Sequence, residues 1–405
     1  MKKLLRKWAE TSLILRIFCG LVLGAILGLT VPQWTGIGIL GQVFVGALKA
    51  VAPVLVAILV MSSIARAKGG LGPRFRTVIL LYLMTTFIAA LIAVSGSFLF
   101  PVTIELKGGE TASLPGSLSE IFSTLLNNMV ANPVLSLTSA NYMGILFWAI
   151  IIGVAARLTK SQTVITFLGE FSDVISLAVK WVIQFAPFGI LGLVFSSVSE
   201  GGLGIFTDYG RLLLLLIGCM LVTSLIVNPF LGFLFLRRNP YPLLWQCLKE
   251  SGLSAFFTRS SAANIPMNLA LCKKLGLDEE FYSVSIPLGS TINMDGAAIT
   301  ITVLTLAVAN TLGMEVSFGS ALLLSVLATL GACGASGVAG GSLLLVPMAC
   351  SLYGIPQDIA MQAVAVGFVI SVVQDSLETA LNSSGDAFFT AVAEFHDRRQ
   401  PNKKG

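Results

Sequence analysis

The fold of this chain is decided by one glycine-rich stretch, which reads Gly331-Ala-Cys-Gly-Ala-Ser-Gly-Val-Ala-Gly-Gly-Ser342. It lies in the middle of an apolar region, 318–353, and contains five glycines. A helix does not continue easily through so many glycines, because each loses much backbone entropy on folding and offers no side chain for packing. The pattern therefore predicts a hairpin of two apolar arms whose flexible tip exposes backbone N–H and C=O groups.

The composition indicates a polytopic membrane protein. Of the 405 residues, 55% are hydrophobic and only 11% are charged, whereas a soluble domain carries about 25% charged residues. The net charge of +5 does not indicate a nucleic-acid partner, because the basic residues cluster at the ends of apolar runs. The six cysteines lie in apolar surroundings without a CxxC pair, and the only histidine, His396, lies in the charged tail. These features argue against a disulfide framework, a histidine-based metal site and a histidine-dependent catalytic triad.

Apolar runs long enough to cross a bilayer predict eight transmembrane helices. They lie at about 13–32, 40–65, 77–100, 141–156, 164–198, 208–236, 281–313 and 356–394. The first run follows a basic N-terminus, but no small-residue cleavage site ends it, so we predict a retained helix. Most of the 25 lysines and arginines then fall on one side of the membrane, which places both termini in the cytoplasm.

The same count of basic flanks predicts a second hairpin at 241–272. This region begins and ends beside cytoplasmic basic pairs, and it is too short for two crossings of about 20 residues each. The hairpin at 318–353 begins and ends on the opposite side. Hairpin, helix, hairpin and helix in this order form an inverted repeat, which in transporters surrounds a binding site at the midplane. The sequence thus predicts an all-α polytopic membrane protein with eight transmembrane helices and two opposed re-entrant hairpins.

Acidic residues inside the last two apolar runs mark a candidate site. One face of the final helix carries Asp375, Glu378, Thr379, Asn382 and Asp386. Asp295 lies on the preceding run, in the sequence Gly289-Ser-Thr-Ile-Asn-Met-Asp-Gly296. Ionisable groups at membrane depth are costly and need a substrate, an ion or an opposite charge as partner. Asn, Asp and Gly, in helices loosened enough to free their carbonyls, suit a bare cation, so we favour an ion and substrate site over a polar stripe that only joins helices.

The motif Thr258-Arg259-Ser-Ser261 lies near the predicted tip of the first hairpin. Free N–H groups at a helix start there would suit a substrate carboxylate. Arg259 either binds an anion directly or pairs with Asp375 or Glu378.

Three hydroxyl side chains share one face of the third run, at Tyr82, Thr85 and Thr86. The threonine hydroxyls either bond back to carbonyls of their own helix or contribute to a binding site.

At these motifs the chain resembles the sodium:dicarboxylate/glutamate symporter family, and it is most similar to the serine/threonine:sodium symporter branch. The resemblance covers essentially the whole chain and is specific at 258–261, at Asn293-Met-Asp-Gly296, at 331–342 and at Asn382-Ser-Ser-Gly-Asp386. It implies a homotrimer of elevator type, in which a mobile transport unit moves against a trimerisation scaffold.

The resemblance also implies a division of the chain. Residues 1–240 would be mainly scaffold and trimerisation helices, with 77–100 and part of 208–236 contributing to the transport unit. Residues 241–395 would form the transport core from the hairpin 241–272, the helix 281–313, the hairpin 318–353 and the helix 356–394. Residues 396–405 would be a cytoplasmic tail.

Three sodium sites and one substrate site are implied by the same resemblance. The first sodium site would use Gly289, Asn293, Asn382 and Asp386, and a deeper one Tyr82, Thr85, Thr86, Asn293 and Asp295. A third would lie between Thr291 and the tip residues Ala332, Cys333 and Ala335, and it would rest mainly on backbone groups because the Ser and Thr side chains of some relatives are absent. The substrate would contact Ser260, Ser261, Val338, Asp375, Glu378, Thr379 and Asn382. Asp375 would hold the α-ammonium group, while Asn382 and the Ser261 N–H would hold the α-carboxylate.

Departures from the family's pattern indicate the cargo. Acidic amino-acid carriers of this family have an arginine at the position of Glu378 and commonly a threonine at that of Ala297. An acid at 378 would repel aspartate and glutamate. We therefore expect a sodium-coupled symporter of small neutral amino acids, chiefly serine and threonine, in the inner membrane of a bacterium. Its expected ligands are co-transported sodium ions, an amino acid and membrane lipid, with no organic cofactor and no nucleic acid.

Three other functions are compatible with parts of this pattern. A proton-coupled or dicarboxylate carrier of the same fold would differ in the ion dependence of uptake. An intramembrane hydrolase would need a nucleophile with a base, and no membrane histidine or Ser–Lys pair is present. A channel is disfavoured, because hairpins that enter from both faces suit alternating access.

Overall fold

The computed structural model describes residues 11, 13–66, 72–106, 126–127, 129–333 and 340–399. Every regular element within these ranges is a helix. Six helices are long and apolar enough to cross a membrane, namely Thr35–Arg66, Arg74–Leu99, Gln162–Gln184, Phe206–Leu236, Glu279–Thr311 and Gln357–Arg398. Shorter apolar helices are Leu15–Thr30, Gly144–Leu158, Ala186–Ser199 and Phe318–Ala332. The all-helical, multi-pass class is confirmed, and eight crossings remain a prediction.

Seven helices come from the first half of the described chain. They are α1 (Leu13–Thr30), α2 (Gly38–Arg66), α3 (Gly72–Leu99), α4 (Pro133–Thr138), α5 (Tyr142–Leu158), α6 (Gln162–Gln184) and α7 (Ala186–Gly201). The prediction of one continuous helix over 164–198 is wrong, since the chain breaks at Phe185. Pro187 lies in the first turn of α7, where its missing N–H removes no helical hydrogen bond.

Glycines allow α1 to pack closely against α7. Gly20, Gly24 and Gly28 recur every four residues on α1 and face the backbone of α7. A Cβ atom at Gly24 would lie only 2.5 Å from the carbonyl oxygen of Leu191. Small residues at this spacing let two membrane helices approach backbone to backbone. Because α2 packs on α5, α6 and α7, these five helices form one group.

The second half of the chain builds a larger group. Its helices are α8 (Ile205–Val222), α9 (Asn228–Leu236), α10 (Tyr241–Cys247), α11 (Leu253–Thr258), α12 (Ser261–Lys274), α13 (Glu279–Ile292), α14 (Asp295–Thr311), α15 (Phe318–Ala332), α16 (Val346–Ser351) and α17 (Gln357–Arg398). Single π-helical turns, Thr223–Val227 and Leu248–Gly252, join α8 to α9 and α10 to α11. A 3₁₀ turn, Leu343–Leu345, precedes α16.

The region 241–272 folds as a helix–turn–helix with its tip at the predicted motif. Arg259 ends α11 in the left-handed conformation, with φ of 51°. Ser260 then caps α12, since its hydroxyl oxygen accepts the N–H of Ala263 at 3.2 Å. In the region 318–353, α15 and α16 form the two arms, and the residues 334–339 between them lie outside the described ranges. Entry of the two hairpins from opposite membrane faces stays a prediction.

Helices α14 and α17 occupy the centre of this group. Helix α14 contacts α3, α8, α15 and α16, and α17 contacts both arms of the first hairpin as well as α13 and α14. Every residue of α14 from Asp295 to Ala309 is buried. Polar side chains on this stretch of α14 are therefore withdrawn from lipid and need partners inside the protein.

At one end of this larger group of helices, charged side chains connect three elements of the chain. Arg74 of α3 contacts Asp278 at 2.9 Å and Asp397 of α17 at 3.5 Å. The N–H of Asp278 donates to the buried carboxylate of Glu394, which Arg398 also contacts. The hydrogen bond from Arg74 lowers the pKa of the Asp278 carboxyl group below its usual value. The cluster thus joins the start of α3, the α12–α13 loop and the end of α17.

Candidate functional site

The chain between α13 and α14 leaves the helical conformation within the predicted helix 281–313. Asn293 has φ and ψ of −93° and 80°, and Met294 has −122° and 50°. The Asn293 side chain holds this break against α17, since its Nδ2 donates to the carbonyl of Asn382 and to Oδ1 of Asp386, each at 3.0 Å. Gly385 makes room for it, because a Cβ there would lie 2.7 Å from Nδ2. The expected loosening of the helix is confirmed here.

A matching break in α17 is absent. The prediction that Asn382-Ser-Ser-Gly-Asp386 also loosens its helix is wrong, because α17 runs without interruption from Gln357 to Arg398. The backbone of α17 satisfies its own N–H groups, so that helix presents mainly side chains to the site. Between α13 and α14, in contrast, two helix ends lie beside Asp386 and Asp295.

A first cluster of oxygen atoms surrounds Asp386. Gly289 lies next to this carboxylate, and the Asn293 side-chain amide bridges it to the carbonyl of Asn382. A Cβ at Gly289 would lie 2.8 Å from Asp386 Oδ1, so only glycine leaves this space open. Asp386 is fully buried, and its Oδ2 has no hydrogen-bond partner among the described residues. A buried carboxylate oxygen without a donor is costly, and a cation would remove that cost.

The second cluster surrounds Asp295. Thr85 Oγ1 lies 2.9 Å and Thr86 Oγ1 3.1 Å from Asp295 Oδ1. Thr85 Oγ1 also lies 3.3 Å from Asn293 Oδ1. The same two hydroxyl oxygens also lie close to the carbonyl oxygen of Tyr82, at 3.1 Å for Thr85 and 2.8 Å for Thr86. Each hydroxyl has one proton for at least two acceptors, so oxygen lone pairs face one another unless a cation lies between them.

Tyr82 joins the two clusters in a way that sequence did not indicate. Its carbonyl faces Thr85 and Thr86, but its hydroxyl lies 3.1 Å from the carbonyl of Asp386 and 2.9 Å from Thr390 Oγ1. The two sides of one residue therefore belong to different clusters.

Asn228 is a site residue that the sequence reasoning missed. It starts α9 directly after the π-helical turn, is buried, and places Nδ2 3.5 Å from Asp295 Oδ2. Its Oδ1 has no partner among the described residues. An Asn-Pro pair inside an apolar run was the available signal, because Pro229 interrupts the helical hydrogen bonds there.

Arg259 pairs with Asp375, which settles one of the alternatives left open by sequence. Its Nε lies 2.6 Å from Asp375 Oδ2, and both side chains are buried. The other oxygen of Asp375 accepts the N–H of Gly340 at 3.1 Å, so this aspartate joins the tip of the first hairpin to the second. Arg259 Nη1 is buried with no partner among the described residues.

Glu378 lies in a separate polar group. One of its oxygens, Oε2, accepts from Thr300 at 2.7 Å, Ser342 at 2.9 Å and Gln374 at 2.6 Å. No basic side chain is among these partners, so a pair with Arg259 is not formed. Glu378 therefore connects α17 to α14 and to the second arm of the second hairpin.

The other predicted substrate residues that the structure describes differ in how many of their polar atoms already have partners within the protein. Thr379 Oγ1 donates back to the carbonyl of Asp375 at 2.7 Å, which is an ordinary contact within a helix. Asn382 Oδ1 accepts the N–H of Gly296 at 2.8 Å. Among the described residues, its Nδ2 has only the weak acceptor Met294 Sδ, at 3.5 Å. Ser261 is buried at the start of α12, beside its cap Ser260. Val338 lies outside the described residues.

The structure describes three of the four residues of the third predicted sodium site. Thr291 Oγ1 donates back to the carbonyl of Leu288 at 2.7 Å, and Ala332 is buried. Cys333 Sγ contacts the carbonyl of Ile292 at 3.5 Å, which brings the end of α15 to the end of α13. Ala335 lies outside the described residues. The contact joins the two regions without supplying side-chain oxygen ligands.

Taken together, these clusters offer oxygen atoms rather than nitrogen or sulfur ligands. Among the described residues, no three His, Cys, Asp or Glu side chains come together as a metal site. Hydroxyl, amide, carbonyl and single carboxylate oxygens suit a hard cation that enters and leaves, and they do not suit zinc.

Comparisons with known proteins point to membrane transport. A model of the sodium:dicarboxylate symporter family matches residues 13–395. A protein of Bifidobacterium adolescentis named serine/threonine transporter SstT is 57% identical over 386 residues, which cover 95% of this chain and 90% of that protein. Proteins with the same name from Streptococcus agalactiae and Streptococcus thermophilus are 56% and 54% identical over 396 residues, which cover 97% of this chain and 98% of theirs.

Proposed function

Because this chain belongs to the sodium:dicarboxylate symporter family, we propose that it is a secondary active transporter that couples the entry of sodium ions to the uptake of L-serine and L-threonine. The names of relatives at 54–57% identity support this cargo. Those relatives are named as transporters, which argues against the intramembrane hydrolase. The family and the transporter class that the resemblance implied are confirmed.

The observation that carries the proposal is the surplus of acceptor oxygens around Asp386 and Asp295. Asp386 Oδ2 has no described donor, and the hydroxyls of Thr85 and Thr86 have fewer protons than nearby acceptors. Sodium ions at these two clusters would neutralise both buried carboxylates. Their movement down the gradient supplies the work, since one inward charge gains about 2.3 kcal/mol per 100 mV of membrane potential.

The Arg259–Asp375 pair suits a zwitterionic amino acid. Its ammonium group would join Asp375, while its carboxylate would accept from Arg259 Nη1, from Asn382 Nδ2 and from the N–H of Ser261. Arg259 Nη1 and Asn382 Nδ2 lack strong acceptors among the described residues, which supports this assignment. A zwitterion placed between an arginine and an aspartate adds no net charge to a buried site, so its burial costs little more than that of the pair itself.

Specificity for a neutral side chain would follow from the acids nearby. Glu378 has only hydroxyl and amide donors among its described partners, so no cation there would receive a second substrate carboxylate. Aspartate and glutamate would place that carboxylate beside a buried acid, which is unfavourable.

We further propose the molecular arrangement that the resemblance implies. The protein would be a homotrimer in the bacterial inner membrane with both termini cytoplasmic. Residues 1–240 would be mainly scaffold, with 77–100 and part of 208–236 joining 241–395 as the moving transport unit. The second hairpin would close over the loaded site, and release would occur beside the first hairpin after the unit moves inward.

An uptake panel in proteoliposomes tests this function. Labelled serine should accumulate only with an inward sodium gradient, and unlabelled threonine should compete while aspartate and succinate should not. Uptake driven by a proton gradient alone, or strong inhibition by succinate, would instead favour the proton-coupled or dicarboxylate carrier. Sodium-dependent uptake with no preference for serine or threonine would contradict the cargo and leave the coupling intact.

A further inference from the structure

A large apolar cavity lies between α3 and α8, apart from the clusters described above. Its volume is about 780 Å³. Apolar and small residues from the end of α3 and the length of α8 line it, among them Ile92, Gly96, Leu99, Leu214, Gly218 and Val222. Such a volume lies within the range of about 300 to 1,000 Å³ that is typical of small-molecule sites.

The cavity has the length of one membrane leaflet. Its lining on α8 extends from Arg211 to Val222, which at 1.5 Å per residue is roughly 16 Å along the helix axis. Half of a hydrocarbon core of about 30 Å is roughly 15 Å. Both helices belong to segments that are long and apolar enough to cross the membrane, and Leu99 and Leu214 are strongly exposed. The cavity therefore faces the space that acyl chains occupy.

Arg211 is the one charged residue in the described lining. It lies in the second turn of α8, near the level at which α3 ends, and so at the mouth of the cavity. Its side chain is exposed and makes no hydrogen bond or ion pair with any described residue. A guanidinium group at the membrane surface favours phosphate, with which it forms bidentate hydrogen bonds.

From this geometry we infer that the cavity binds one acyl chain of an anionic phospholipid whose phosphate group contacts Arg211. The chain would fill the space between α3 and α8, and the headgroup would stay at the interface. An anionic headgroup is favoured over a zwitterionic one, because the amine of a zwitterionic lipid would lie near the guanidinium group. This binding site does not depend on the proposed cargo.

Photolabelling of the purified full-length protein tests the inference. The probe is a phosphatidylglycerol with a diazirine near the end of one acyl chain, and labelled peptides are mapped by mass spectrometry. Label should concentrate in the peptides that cover 92–102 and 211–222, and unlabelled phosphatidylglycerol should displace it. Arg211→Gln should raise the lipid concentration for half-maximal labelling about fivefold, as expected for one basic contact near the surface.

A filling variant tests the cavity itself. A Cβ at Gly218 meets no atom within 4 Å, so Gly218→Leu should fit the helix, occupy the acyl space and abolish this labelling. Gly46→Leu on α2 is the matched control, because Gly46 has equally open surroundings and does not line the cavity. Leu214→Trp replaces Gly218→Leu if that variant does not fold. Uniform labelling of the membrane helices, equal labelling by a phosphatidylcholine probe, or unchanged labelling of the filled variants would overturn the inference.

Discussion

The side chains and carbonyls around Asp295 and Asp386 present more hydrogen-bond acceptor oxygens than there are donor protons nearby. Thr85 and Thr86 each face the carbonyl of Tyr82 on one side and Asp295 on the other. In a site that bound only protein groups, such oxygens would repel one another. A transported cation at these clusters, as proposed, would balance the excess of acceptor oxygens.

Asn228 should strengthen sodium binding at the Asp295 cluster. Asn228→Ala removes the amide beside Asp295 Oδ2 and should raise the sodium concentration for half-maximal serine uptake by roughly tenfold, the lower end of effects seen when a supporting ligand of a metal is lost. Asn310→Ala removes an amide whose one hydrogen bond to the described residues goes to the carbonyl of Val102, so it should leave the sodium dependence unchanged. Equal behaviour of the two variants would exclude Asn228 from the site.

Glu378 should discriminate against acidic amino acids by its charge. Glu378→Gln keeps a side chain that can accept from Thr300, Ser342 and Gln374, but it removes the negative charge. Inhibition of serine uptake by aspartate should then improve about tenfold, which corresponds to about 1.4 kcal/mol.

Ser342→Ala separates this charge effect from a packing effect. It weakens the contact between Glu378 and the second hairpin without changing charge, so it should not improve inhibition by aspartate. A similar gain in both variants would mean that Glu378 acts by holding the hairpin rather than by repelling the substrate.

Sequence indicated most residues of the clusters, because carboxylates inside apolar runs are rare and need partners. It could not choose the partner of Arg259, since Asp375 and Glu378 lie within one helical turn of each other. The choice depends on the left-handed turn at Arg259 and on the donors Thr300, Ser342 and Gln374, which surround Glu378. Asn228 was missed because the Asn-Pro pair at 228–229 does not by itself show that this side chain reaches Asp295. That contact depends on the π-helical turn before Asn228.

Among the elements, interrupted helices position the site. Sequence predicted the break at Asn293 and Met294 from Asn, Asp and Gly, yet the same residue types leave α17 continuous at 382–386. The difference lies in packing, because the Asn293 side chain occupies the groove that Gly385 opens on α17. Contacts between two helices decide which of them breaks, and the pattern of either helix alone does not contain that information.

Close packing of α1 on α7 should depend on the glycines of α1. Gly24→Ala would place a Cβ 2.5 Å from the carbonyl oxygen of Leu191, so the helices must separate, at a cost of about 1 to 3 kcal/mol. The midpoint of thermal unfolding in detergent should fall. Gly210→Ala on α8 meets no atom within 4 Å and should leave the midpoint equal or higher. A lower midpoint for Gly210→Ala alone would contradict this packing.

For the whole molecule, the distribution of basic residues predicts an orientation that cysteine labelling can check. In a background without the six native cysteines, Thr103→Cys after α3 should react with a membrane-impermeant thiol reagent on intact cells. Gln162→Cys at the start of α6 should react only in inverted vesicles. Both positions are exposed and lie near the ends of membrane helices. The reverse pattern would place the termini outside and would invert both hairpins.

The most direct test of sodium-coupled transport is serine-evoked entry of radioactive sodium into proteoliposomes. Serine added outside should accelerate sodium uptake in a fixed ratio to serine uptake, because both ligands cross in one loaded unit. Asp386→Asn should abolish this serine-evoked sodium flux in protein that remains folded, since the amide replaces a carboxylate whose Oδ2 has no hydrogen-bond partner among the described residues. Serine uptake without accompanying sodium entry, or an undiminished sodium flux in Asp386→Asn, would contradict the account.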